Sequence, residues 1–182
     1  MDIRLAHPNE VTVIMEIIEE ARAFLKASGS DQWQGEYPSE KDIFDDILQG
    51  RAWVGLVDNQ IVAYTAVITG QEEAYEAITD GHWKHANPKY TVFHRIAVSQ
   101  KMSGQKIAQT FLQGLIEGLP GPDFRCDTHP KNLIMQHILD KLGYVYCGKV
   151  QIEGERWAYQ KIKTKAEAAS YQEVDEGLRY DF

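Results

Sequence analysis

At 182 residues, with 43% hydrophobic and 25% charged side chains, the chain is sized for one globular domain with a single substantial core. Its net charge of −8 argues against nucleic acid or an anionic membrane as the main partner, because both need a basic face. No apolar run approaches a membrane span, MDIRLAHPNE has no apolar leader core, and Cys126 and Cys147 lack CxxC spacing, so a cytoplasmic protein with reduced, buried thiols is expected.

Ile3 to Ala6 forms the first predicted strand, and His7-Pro8-Asn9-Glu10 is a turn into a helix. That helix runs to about Ser28. Ile14, Ile17, Ile18, Ala21 and Leu25 form its apolar stripe, and Gly29 ends it. Residues 30 to 40 are polar and turn-rich but contain Trp33 and Tyr37, which either cap the core or line a ligand pocket. Ser39 caps a short second helix through Gln49, with Ile43, Phe44 and Ile47 inward.

Arg51 to Val57 and Gln60 to Thr69 are strands joined by Asp58-Asn59, a two-residue hairpin signal. The second is apolar throughout and therefore central. Residues 70 to 89 are long for a plain connection. A helical turn over Glu73 to Thr79 is expected there, followed by Trp83. Tyr75 and Trp83 join Trp33 and Tyr37 as candidates for an acceptor pocket.

Thr91 to Leu119 organises the chain. TVFHRIAV is a strand, SQKMSGQK a polar loop, and Ile107, Ala108, Phe111, Leu112, Leu115 and Ile116 recur at helical spacing. A loop entering a helix N-terminus offers unpaired N–H groups and the positive end of the helix dipole, a geometry that receives phosphate. Both GxxxxGK[ST] and GxGxxG are absent. Pro120-Gly121-Pro122 then breaks the helix. Asp123 to Thr128 is a strand, and Asp127 or Thr128 is expected to cap the next helix, with Pro130 in its first turn. Tyr144 to Gln151 and Arg156 to Ile162 are the last two strands. The domain spans 1–162, and the tail 163–182 is expected to be peripheral, helical in part or a homodimer contact.

The strand–loop–helix unit resembles motif A of the GNAT family, the GCN5-related N-acetyltransferases. Ile96-Ala97-Val98 stands at the strand end, and Lys101-Met102-Ser103-Gly104-Gln105-Lys106 stands in the loop. Lys101 replaces Gln or Arg there, and Lys106 replaces a small residue. Asp127-Thr128-His129-x-x-Asn132, followed by Leu142-Gly143-Tyr144 and Gly148, resembles motif B. The resemblance covers residues 1 to 162. It implies an α/β GNAT acyl-CoA N-acyltransferase fold: a mixed, mostly antiparallel sheet of about seven strands, helices on both faces, splayed between strands four and five.

It also implies acetyl-CoA as co-substrate and transfer to a primary amine of a small molecule or peptide. Ile96 and Val98 would pair with pantetheine, and the backbone of Met102, Ser103, Gly104, Gln105, Lys106 and Ile107 would hold the pyrophosphate. Lys101, Lys106 and Lys131 could add positive charge. Ala97 or Val98 would supply the oxyanion donor, and Asn132 would bond the pantetheine arm.

Period-two alternation puts Val92, His94, Ile96 and Val98 on one face, with Arg95 on the other. His94 suits the general base by type and position. Glu73, Glu76 and His129 are alternatives. The family's usual acidic tyrosine falls at Leu139, so the thiolate leaves unassisted or a loop residue such as Tyr37 serves. Two other classes compete. One is a CoA-binding module without catalysis. The other is a metal-dependent hydrolase using His82, His85, His94 and His129, which no ligand spacing supports; no metal is expected.

Overall fold

A computed structural model of the chain describes residues 1–168; the remainder of the expected tail, 169–182, lies outside the described residues. Seven strands form one sheet: β1 (Asp2–Leu5), β2 (Ala52–Val57), β3 (Gln60–Gly70), β4 (Tyr90–Val98), β5 (Asp123–Thr128), β6 (Val145–Gln151) and β7 (Glu155–Ile162), in the order β1-β2-β3-β4-β5-β7-β6. All neighbours are antiparallel except β4 and β5. The β2–β3 hairpin turns through Asp58 and Asn59 at φ 49° and 62°, the left-handed pair that matches the twist of two strands.

Helices cover both faces. On one side lie α1 (Val11–Ala27) and α2 (Glu40–Leu48), whose Ile14, Ile18 and Ile43 are buried against Val54 and Tyr64. On the other lie α4 (Ile107–Gly118) and α5 (Leu133–Lys141), whose Phe111, Leu112 and Leu139 pack against Phe93, Phe124 and Tyr159. The Ser39 hydroxyl and the Asp42 carboxylate close a capping box at the start of α2. Phe44, expected inward on α2, is 42% exposed; Asp46 takes the buried place with Ile43 and Ile47. The cap of α5 is also displaced from the expectation. Asn132 accepts from the Met135 N–H at 3.1 Å, so the helix begins at Leu133, and Asp127, Thr128 and Pro130 all precede it.

Within the long 70–89 segment, only α3 (Glu73–Glu76) is helical. The segment is fastened instead by a bridge between Thr79 and Lys149 and by a close approach of backbones. A Cβ on Gly148, at φ +150°, would stand 2.6 Å from the Thr79 carbonyl oxygen.

Two features of β4 shape the site. First, a β-bulge: His94 faces Ala66 and Ala97 faces Tyr64, so Arg95 and Ile96 together oppose Thr65. Arg95 takes φ 54°, and the extra residue reverses the alternation. Phe93, Ile96 and Val98 therefore pack on the α4/α5 face, while Val92, His94 and Ala97 belong to the other. The expected single face of Val92, His94, Ile96 and Val98 is corrected accordingly. Second, the ladder between β4 and β5 holds two pairs, Thr91 with Phe124 and Val92 with Arg125. Beyond Val92 the strands part, and the β4 main chain has no partner strand on its β5 side.

Candidate active site

The parting of β4 and β5 opens a cleft with an empty volume of about 1080 Å³, its mouth included. Its walls are β4 from Phe93 to Val98, the end of β5 at Asp127 and Thr128, the start of α5, part of α1 at Ala21, Phe24 and Leu25, and Gln32, Trp33 and Tyr37. Ile96, Ala97, Val98 and Asn132 line it, as do Trp33 and Tyr37. Tyr75 and Trp83 do not. They stack on each other at 5.4 Å beneath β4, and the Trp83 indole donates to the Tyr75 carbonyl, so they are packing residues.

The loop into α4 is a single turn. Met102, Ser103 and Gln105 donate their N–H groups to the carbonyls of Ser99, Gln100 and Met102. Of the six donors expected to receive a pyrophosphate, these three are already engaged; Gly104, Lys106 and Ile107 remain. Lys106 is the N-cap of α4 and sits in the left-handed region at φ 56°. The first ladder bond runs from the Thr110 N–H to the Lys106 carbonyl, so the N–H groups of Ile107, Ala108 and Gln109 have no helical partner. Those groups suit an anion, with the helix dipole behind them. Lys101 lies 4.0 Å from Glu20 and is otherwise exposed.

His94 stands in the cleft wall between two carboxylates. Its Nε2 is 2.9 Å from Glu72 Oε2, and its Nδ1 is 3.9 Å from Asp127 Oδ1. Asp127 Oδ1 accepts from the Tyr75 hydroxyl at 2.6 Å, and burial together with that carboxylate raises the Tyr75 pKa well above its ordinary value. Tyr75 is therefore a permanent donor. Glu72 was not singled out from sequence; it precedes α3, and only the docking of that segment brings it to His94. Glu76 accepts from the Tyr90 hydroxyl instead, Glu73 is exposed, and His129 pairs with Asp31 at 3.1 Å. Burial and the nearby Arg156 lower the His129 pKa.

Arg95 faces the cleft, contrary to the alternation. The bulge swings it to Asp46, where both carboxylate oxygens accept from the guanidinium at 2.6 to 3.0 Å, and to the Tyr37 hydroxyl at 2.7 Å. Its partnership is structural, as expected. Tyr64 donates to the same carboxylate at 2.6 Å. Burial raises the Tyr37 pKa, which Arg95 only partly offsets. Leu139, at the family's tyrosine position, is wholly buried and carries no proton. Tyr144 is buried too, and among the described residues its hydroxyl has no hydrogen-bond partner. Among the described residues no group of three or more His, Cys, Asp or Glu side chains could hold a metal ion, and no helix is long and apolar enough to cross a membrane.

A sheet opened at one parallel pair, with a helix N-terminus at the mouth and unpaired strand edge inside, is the arrangement that the resemblance to the acetyltransferases implies. Comparison with solved structures agrees. A GNAT-family acetyltransferase from Streptococcus agalactiae is 62% identical over 90% of this chain and 96% of its own, with a TM-score of 0.88. The chain belongs to the GNAT family of acetyltransferases. Two more distant structures share the fold. A putative acetyltransferase from Staphylococcus aureus Mu50 has TM-score 0.68 at 21% identity, covering 89% of this chain and 99% of its own. The PaiA N-acetyltransferase of Thermoplasma acidophilum, in complex with coenzyme A, has TM-score 0.63 at 13% identity, covering 89% and 98%. No protein-family model and no curated protein matches the chain.

Proposed function

We propose that the protein transfers the acetyl group of acetyl-CoA directly to a primary amine of a small molecule or peptide, both bound at once. The observation that carries this reading is the unpaired β4 edge opening onto a cleft whose wall holds His94. An extended pantetheine arm can add to that edge as a strand would. The free N–H groups at Gly104 and Lys106 and in the first turn of α4 suit its pyrophosphate, and the amide of Asn132 lies along the route. The Ala97 or Val98 N–H serves as oxyanion donor.

His94 acts as the base. An ionised Glu72 accepts only, so it fixes the proton of His94 on Nε2 and leaves the Nδ1 lone pair toward Asp127. The 3.9 Å between Nδ1 and Asp127 is too long for a hydrogen bond and leaves a place for an ammonium or a bridging water. Asp127 attracts the cationic amine, and His94 removes its proton. Tyr37 does not protonate the leaving sulfur. Its pKa is raised above 10, whereas an ordinary thiol lies near ~8.5, so the sulfur departs as thiolate. The two free, buried thiols fit a reducing compartment, and we place the reaction in the cytoplasm.

The test is release of CoA from acetyl-CoA across a panel of primary amines, followed against pH. At least one amine should accelerate release, and His94→Gln should lower the rate at neutral pH by about 10²–10⁴-fold and abolish the ascending limb. Glu72→Gln should keep that limb, because its amide oxygen can still accept from the His94 Nε2–H. A His94→Gln profile matching wild type would remove His94 as base.

A further inference from the structure

Arg156 differs from the other buried arginines. Arg95 is saturated by Asp46 and Tyr37, and Arg125 lies over the rings of Tyr90 and Trp83 and donates to Asp123 and two carbonyls. Arg156 is only 5% exposed, yet among the described residues no hydrogen bond reaches its guanidinium. Its charge partner is Asp127, at a loose 3.9 Å through Nε. The Arg156 nitrogens are not sealed from solvent, so a group entering the clefts can reach and complete them. Arg156 lines the cleft, and also an adjoining one between residues 31–37 and 153–156. One polar atom at these clefts is both buried and unsatisfied: among the described residues Gln32 Oε1 has no hydrogen-bond partner, and Gln32 lines both clefts as well.

Arg156 is not placed for the cofactor's pyrophosphate. On β7 the neighbouring Trp157 and Tyr159 pack on the α4/α5 face, so Arg156 points to the opposite one. Cys126 and Phe93 likewise lie on the α4/α5 face, which puts Asp127 and His94 on the side of Arg156. His94 on β4, Asp127 on β5 and Arg156 on β7 thus form a row across three adjacent strands, leading away from the loop before α4.

We infer that the acceptor is an amine that also carries a carboxylate, such as an amino acid, with Arg156 as its anion-recognising residue and Gln32 as an acceptor for one of its N–H groups. The planar fork of arginine matches a carboxylate with two parallel hydrogen bonds, which a lone amine could not supply. This inference rests on the acetyl-transfer reading for the orientation of the amine toward His94.

The test reads binding, so that it stands apart from turnover. With CoA saturating, each N-acetyl amino acid is titrated calorimetrically beside the N-acetyl amine of the same side chain lacking the carboxylate. Wild type, Arg156→Gln and Arg156→Lys are compared, and a melt with acetyl-CoA establishes that each variant is folded. At least one carboxylate-bearing ligand should bind wild type about ten- to hundredfold more tightly than its counterpart. That preference should vanish in Arg156→Gln and survive in part in Arg156→Lys. The inference is overturned if every pair binds alike, if no carboxylate-bearing ligand binds, or if the preference survives in Arg156→Gln. Should Arg156→Gln not fold, wild type and Arg156→Lys decide, with Gln32→Met as a further variant that should weaken the same ligands. Failure of the acetyl-transfer reading looks different: no amine would accelerate CoA release, whatever the binding data.

Discussion

At the scale of single residues, the site depends on one buried ion pair. Asp46 is 4% exposed and is bonded by Arg95 and Tyr64 together. Tyr37, Asp46 and Tyr64 hold the Arg95 pKa up against the burial that would lower it. Asp46→Asn keeps the shape but leaves a buried guanidinium without its counter-charge, and it should cost about 3–5 kcal/mol in denaturant unfolding. A loss below 1 kcal/mol would mean that water reaches the pair. The sequence reading named His94 but placed its neighbours wrongly, because alternation holds only while the strand is regular. Nothing in FHRIAV announces a bulge: its extra residue is an arginine at positive φ, held there by a carboxylate 49 positions earlier. Glu72 was missed for the same reason. Its meeting with His94 is a tertiary contact of a segment with almost no regular structure of its own.

At the scale of elements, the 70–89 segment is positioned by its docking on β6. Gly148 allows the Thr79 carbonyl to approach, and Gly148→Ala should force the two apart. The expected cost is about 1–3 kcal/mol, with acetyl transfer reduced as Glu72 leaves His94. Unchanged activity in a folded Gly148→Ala variant would separate the docking from the chemistry. Gly148 was visible in the sequence as part of a family pattern, but its reason, a backbone contact across 69 positions, was not. The end of the described chain carries a second device. Thr164 and Glu167 cap the helical residues 165–168, and Glu167 also accepts from Gln113 and pairs with Lys161 at 3.0 Å. Burial would raise the Glu167 pKa, but these hydrogen bonds bring it down to about 2 from an ordinary 4.5. A depressed carboxylate stabilises fully above its unfolded value and loses that contribution as pH falls through its folded one. Glu167→Gln should therefore destabilise at neutral pH, and the gap to wild type should close between pH 4.5 and about 2. A gap that stays constant over that range would show that the charge is immaterial.

At the scale of the whole molecule, the seven strands and the helices α1, α2, α4 and α5 of the described residues were legible with their approximate bounds, because their apolar periodicities are regular. The mixed, mostly antiparallel sheet and the parting of β4 from β5 came instead from likeness to a family, since strand pairing at long range leaves no local mark; the order of the strands was not legible. The central claim is that this parting, with the N-terminus of α4, receives acetyl-CoA. Thermal unfolding with acetyl-CoA, CoA and dephospho-CoA in parallel tests it most directly. A ligand at about 100 times its Kd adds roughly 2.7 kcal/mol, a rise of several degrees at about 2–4 °C per kcal/mol. The account predicts that rise with acetyl-CoA. No shift at millimolar acetyl-CoA would contradict it, and would mean that the turn before α4, with Lys106 at its cap, does not admit the pyrophosphate.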